Sequence, residues 1–160
     1  MEQPADSPKS SLPDGAEPAT SRADCGASAS EHKEEEILDS EALIDAASRG
    51  ELARVKEIID GMKTNGVDIN HQDSHEWTAL IWACINDHTE VALELLKVGG
   101  LDINVQDSDG NTALIMACFN GLTEVVIELL KGDGIDVNVQ GSDGDTALMS
   151  ACLNGHADIA

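Results

Sequence analysis

Three cysteines, Cys84, Cys118 and Cys152, recur at intervals of 34 residues. Repeated thiols raise two chemistries: thiolate ligation of a metal ion, and disulfide or redox exchange. His71 and His75 flank Asp73, a trio of metal-ligating residue types. Two glycine-containing loops, "SDGNT" at 108–112 and "SDGDT" at 142–146, raise a third possibility, a cradle for phosphate. Which of these is real depends on the elements that hold the side chains.

Those elements are set by a period. Thr78, Thr112 and Thr146 keep the same 34-residue step, as do Asp68-Ile69-Asn70, Asp102-Ile103-Asn104 and Asp136-Val137-Asn138. The segment "GLDINVQDSDGNTALIMAC" at 100–118 returns at 134–152 as "GIDVNVQGSDGDTALMSAC". Such a period signals a solenoid, in which each unit hides its apolar face against its neighbours. Tetratricopeptide repeats share the length, but they are all helix and have no use for a polar, turn-forming linker such as "DINVQDSDGNT".

Within one unit, Ile103–Gln106 is a short extended stretch before a turn at Asp109-Gly110. Thr112 offers its hydroxyl to cap a helix whose packing face is Ala113, Leu114, Met116 and Ala117, and Gly121 permits a left-handed stop. Glu124 suits the first turn of a second helix, which carries the apolar stripe Val125, Val126, Leu129 and Leu130. An earlier pair of helical runs, with Leu43, Ala46 and Ala47 and then Leu52, Val55, Ile58 and Ile59, is separated by Gly50.

These residues resemble the ankyrin repeat family. The segments that carry the resemblance are "TALIWACINDHTEVALELL", "TALIMACFNGLTEVVIELL" and "TALMSACLNGHADIA", each behind an Asp-(Ile/Val)-Asn loop. The resemblance implies a mainly α fold, an ankyrin-repeat solenoid of antiparallel helix pairs joined by β-hairpin-like loops. The repeats would span 39–73, 74–107, 108–141 and a truncated 142–160. The family's usual Thr-Pro-Leu-His becomes Thr-Ala-Leu-Ile or Thr-Ala-Leu-Met here, and the first linker, "DGMKTNGVD", is three residues longer than the others.

The candidate chemistries now resolve. Helices in neighbouring repeats pack about 10 Å apart, whereas a disulfide needs Cα atoms within about 7 Å. The cysteines are therefore expected to be core fillers, at a position where the family has a small buried residue. No other repeat copies the His71–Asp73–His75 set, so no metal is expected there. No Lys follows the SDG loops and acids flank them, so a phosphate would be repelled. No spacing implies a nucleophile with its base. The expectation is a protein without catalytic activity or cofactor. His88 and His156 share one repeat position and are expected to be structural hydrogen-bonders. Trp82, aligned with Met116 and Ser150, is expected in the core. Trp77, aligned with Asn111 and Asp145, is either an exposed anchor for a partner or a cover over the first linker.

The resemblance also implies a contact surface. Carried over position by position, it comprises His75, Trp77, Ile85 and Asn86, then Asp109, Asn111, Phe119 and Asn120, then Asp143, Asp145, Leu153 and Asn154. Leu96–Asn104 and Leu130–Asn138 resemble sites of asparaginyl hydroxylation, though loop-backbone satisfaction is the expected role of these asparagines.

Charge points to the kind of partner. The 160-residue chain has nine Lys+Arg against 31 Asp+Glu, a net charge of −22. Nucleic acid and anionic membrane are poor partners for such a surface, and a protein with a basic edge is a good one. With 2% aromatic residues, any core rests on Leu, Ile, Val and Ala. All four prolines lie in the acidic stretch 1–38, which is expected to be a disordered tail. The absence of an apolar leader and of a long apolar run suggests a cytoplasmic or nuclear monomer. The fourth repeat breaks off at "NGHADIA", which suggests a fragment or truncated form. Two functions follow as expectations: an interaction module (adaptor, scaffold or inhibitor), or the N-terminal regulatory segment of a longer enzyme or channel.

Overall fold

A computed structural model describes residues 39–160; the expected tail at 1–38 lies outside the described residues. Among the described residues there are seven helices and no strand: α1 (39–48), α2 (Leu52–Asn65), α3 (Ala79–Ile85), α4 (Thr89–Leu95), α5 (Ala113–Asn120), α6 (Thr123–Leu130) and α7 (Ala147–Leu153). They pair as α1/α2, α3/α4 and α5/α6, with α7 followed by turns. The first helices pack α3 on α5 and α5 on α7, and the second helices pack α2 on α4 and α4 on α6, which makes two helical layers.

Small side chains let the first layer close up. Ala46, Ala83, Ala117 and Ala151 are all fully buried, with Ala47, Cys84 and Cys118 beside them. The second layer contributes Val55, Val91, Leu95, Val125 and Leu129 to the same core. Each repeat would expose this stripe if alone, so burial depends on having a neighbour. The core-facing set of α5 includes Ile115, and Met116 is only half-buried. Leu130 turns outward, 51% exposed, so the stripe of α6 is narrower than its sequence suggests.

The first helices begin as expected. Thr78, Thr112 and Thr146 sit in extended backbone, and each hydroxyl accepts a hydrogen bond from the third residue on: Ile81, Ile115 and Met149. The second helices have no side-chain cap; in α4 and α6 Glu90 and Glu124 in the first turn complement the dipole instead, whereas α2 has no acid there. The hairpin-like loops are held by single antiparallel bridges, Gln106 with Thr112 and Gln140 with Thr146.

The long first linker is not a long loop. Its extra residues continue α2, which runs 14 residues against seven in α4 and eight in α6. Gly66 then ends it in left-handed backbone. Lys and Met are adequate helix formers and Gly61 costs only about 1 kcal/mol, so helix propagation wins over a loop.

Two ladders of side chains, one of asparagines and one of histidines, link neighbouring repeats. Asn70 donates to the Gly100 carbonyl at 2.8 Å and accepts from the Asp102 amide at 2.7 Å. Asn104 repeats this with Gly134 and Asp136, both at 2.9 Å. These asparagines therefore satisfy the loop backbone of the following repeat. His88 and His156 form the second ladder: each ring Nε2 lies about one hydrogen-bond length from a carbonyl of the preceding repeat, Ser48 at 3.1 Å and Phe119 at 3.0 Å.

Candidate functional site

The carboxylate of Asp73 organises the loop of the second repeat. Its Oδ1 accepts from the His75 amide at 2.8 Å and the Trp77 amide at 3.0 Å, while its Oδ2 accepts from the Trp82 indole N–H at 2.8 Å. Asp107 does the same for the third repeat, accepting from the Asp109 and Asn111 amides. In the last repeat the position is Gly141, and the Asn111 side chain closes against it. Burial alone would raise the Asp73 carboxyl. The bonds from Trp82, Trp77 and His75 and the nearby His75 ring outweigh that and hold it below the usual carboxylate range. This role of Asp73 is not among the sequence expectations; its recurrence as Asp107 is the signal for it.

The two tryptophans occupy positions that differ from expectation. Trp82 packs on the core but is only half-buried, with its N–H on Asp73. Trp77 is also half-buried and meets Trp82 edge to face, with ring centroids 4.5 Å apart at 74°. Trp77 is therefore not a fully exposed anchor: it packs on the core and braces Trp82. His75 stacks loosely outside it, at 5.4 Å, and is well exposed.

The other surface positions fall into two groups. Phe119 and Leu153 stand out at 53% and 73% exposed, with Ile85 half-buried on the same line. Asp109 and Asp143 are exposed at the hairpin tips, and Asp145 is half-buried. The asparagines, by contrast, are struts. Asn86 donates to the Ser48 carbonyl, Asn120 to those of Cys84 and Ile85, and Asn154 to that of Ser150. Asn111 donates to Asp107 at 3.4 Å, so its amide serves its own loop.

The three repeated cysteines are all unpaired, but they are not equivalent. Cys84 and Cys118 are buried, and burial pushes their thiols up, to about 12 for Cys84, with a contribution from Cys118, and about 11 for Cys118. Cys152 is exposed, which corrects its assignment as a core filler: no helix among the described residues lies over that side of α7. The same side leaves Leu148 and Met149 about half exposed. Among the described residues, no three His, Cys, Asp or Glu side chains converge as a metal site would require. No described helix is long and apolar enough to cross a membrane.

A stack of helix pairs that exposes apolar residues at its first-helix ends and acids at its loop tips is the architecture of a repeat-type interaction protein. Three overlapping stretches, residues 23–107, 43–141 and 93–160, match the family described as "Ankyrin repeats (3 copies)". The chain belongs to the ankyrin repeat family. Domains of this family are generally non-catalytic modules of protein–protein interaction.

Proposed function

We propose that the chain acts as an adaptor, scaffold or competitive inhibitor that binds a protein partner through its hairpin tips and the exposed edge of its first helices. One observation carries this reading: Phe119 and Leu153 are large, apolar and more than half exposed at the ends of first helices whose preceding hairpins expose Asp109 and Asp143. A surface of this kind suits a partner that is basic along one edge and inserts apolar side chains. Residues 74–160 contain two Lys against fourteen acids, so charge would speed encounter and set specificity more than it sets affinity. The net charge of −22 disfavours nucleic acid and anionic membrane as partners, and we place the chain as a monomer in the cytoplasm or nucleus.

The test is quantitative capture of proteins from the host's lysate by the full chain and by the Phe119→Ala/Leu153→Ala variant. Both side chains are exposed, so the variant should keep the wild-type melting curve. Loss of a captured partner from the variant alone supports the reading, and identical capture by both removes this edge from the site.

A second reading, a regulatory ankyrin segment of a longer enzyme or channel, is favoured by another observation. Leu130, Val137 and Leu148, with Leu114 and Cys118 of α5, line an apolar groove of about 230 Å³ between α5, α6 and α7. Sequencing the transcript past Ala160 separates the two readings.

A further inference from the structure

A cleft of about 590 Å³ opens between α1 and the loop of the second repeat. Its volume lies in the range of small-ligand sites. One wall carries Glu41 and Asp45, one helical turn apart on α1; the other carries Asp73 and the Trp82 indole. Repeat register places Asp45, Trp82, Met116 and Ser150 at equivalent positions, so among the described repeats the second alone sets an aromatic ring here.

The ring is fixed before any ligand arrives. Asp73 anchors its N–H at 2.8 Å and Trp77 braces it edge to face. A rigid indole loses little entropy on binding, which favours affinity. Around it the negative charge is available. Among the described residues Glu41 forms no ion pair. Asp45 pairs with Arg49 at 3.0 Å, but both side chains are more than half exposed, and such a pair is readily exchanged.

We propose that this cleft receives the guanidinium of an arginine from a protein partner, stacked on the Trp82 indole between the carboxylates of Glu41 and Asp45. The inference deepens the interaction-module reading and rests on it. A π face beside carboxylates selects a cation. A guanidinium fits better than an ammonium, because it is flat, weakly hydrated and forks to carboxylate oxygens while it stacks. A bare metal ion fits poorly, since both Asp73 oxygens are already committed to the loop and to Trp82.

The cleft also sets an orientation. Ser48, on its rim, is the repeat equivalent of Ile85, Phe119 and Leu153. The edge therefore passes from acidic and polar at α1 to apolar at α5 and α7. A partner lies with its arginine at α1 and its apolar side chains toward α7.

The experiment uses the full chain, isotopically labelled, with both indole N–H signals followed by NMR. The probe is a short acetylated and amidated peptide with one arginine, compared with the same peptide carrying citrulline or lysine. The arginine peptide should shift the Trp82 indole signal and the amides of 41–48, with citrulline giving no shift and lysine binding several-fold more weakly. Glu41→Gln/Asp45→Asn should weaken binding at least fivefold, while Glu124→Gln/Asp133→Asn, an equal charge change far from the cleft, should not. Equal weakening by both double variants, or equal shifts with citrulline, overturns the proposal. The citrulline comparison is made on the unaltered chain and does not depend on any variant folding. If the peptide misses the cleft while Phe119→Ala/Leu153→Ala still abolishes partner capture, the cleft assignment fails and the interaction-module reading stands.

Discussion

The Trp82 indole donates its only hydrogen bond to Asp73, 2.8 Å away in the preceding loop, and so ties a helix of the stack to the hairpin that leads into it. Replacing the carboxylate should loosen both. Asp73→Asn places an amide N–H or a neutral oxygen where three donors converge, and should cost about 2 kcal/mol, typical of charge-assisted bonds. The effect has a defined pH window. Asp73 titrates lower in the folded chain than in the unfolded one, where a carboxyl has a pKa of about 3.9. Its contribution is complete well above that value and disappears as pH falls through it toward the folded pKa. Urea midpoints of wild type and Asp73→Asn should therefore differ at neutral pH and converge as pH falls below the unfolded carboxyl's pKa. A constant difference across that range would contradict the assignment.

Glu76 occupies left-handed backbone, φ 61°, at the turn position where the next repeats have Gly110 and Gly144. A side chain there costs about 1–2 kcal/mol, some of which a glycine gives back as unfolded-state entropy. Glu76→Gly should raise stability by about 0.5–1 kcal/mol, read as a higher urea midpoint with an unchanged slope. The residue-76 carbonyl still accepts from the Gln72 amide in this variant, so the loop is otherwise kept. A lower midpoint would show that the turn does not adopt the strained form.

The His88 ring lies against Gly50 so closely that a Cβ there would stand 2.7 Å from two ring atoms. Gly50 also has φ 72°. Gly50→Ala should cost about 2 kcal/mol or more. The next repeat suggests the remedy: Asp87 has a Cβ at the equivalent of Gly50, with φ 62°, and Leu122 replaces the histidine. His88→Leu loses the contact with the Ser48 carbonyl, worth about 1 kcal/mol. The double variant should lose less stability than the sum of the two single losses, a coupling readable in a denaturation cycle. Strict additivity would mean that ring and glycine do not press on each other.

Thiol reactivity should separate the repeated cysteines. Cys84 and Cys118 have pKa values of about 12 and about 11, and both are buried, so in mildly alkaline buffer they hold almost no accessible thiolate. Iodoacetamide on the folded chain, mapped by peptide mass, should label Cys152 and leave Cys84 and Cys118 intact until denaturant is added. Fast labelling of Cys84 in the native chain would be inconsistent with the packed core.

The repeat and its internal wiring are legible in the order of residues alone. The 34-residue step, the capping threonines at 78, 112 and 146, and the Asp-(Ile/Val)-Asn loops are local signals, and each is fixed by bonds within a few residues or by one register shift. The line through Phe119 and Leu153 followed from the same register.

What identical repeat positions become depends on the folded stack. Cys84 and Cys152 are one position in the sequence, yet one is sealed by a following helix and the other faces solvent. Trp77 reads as a loop-tip residue but turns inward, because Asp73 pins Trp82 beside it and two indoles bury more surface together than apart. Asn86 and Asn120 also brace the stack, donating to carbonyls 35–38 residues earlier, a role set by the neighbouring repeat. A period specifies what each unit offers. Burial and pairing depend on which neighbour accepts it, and that is a property of the stack.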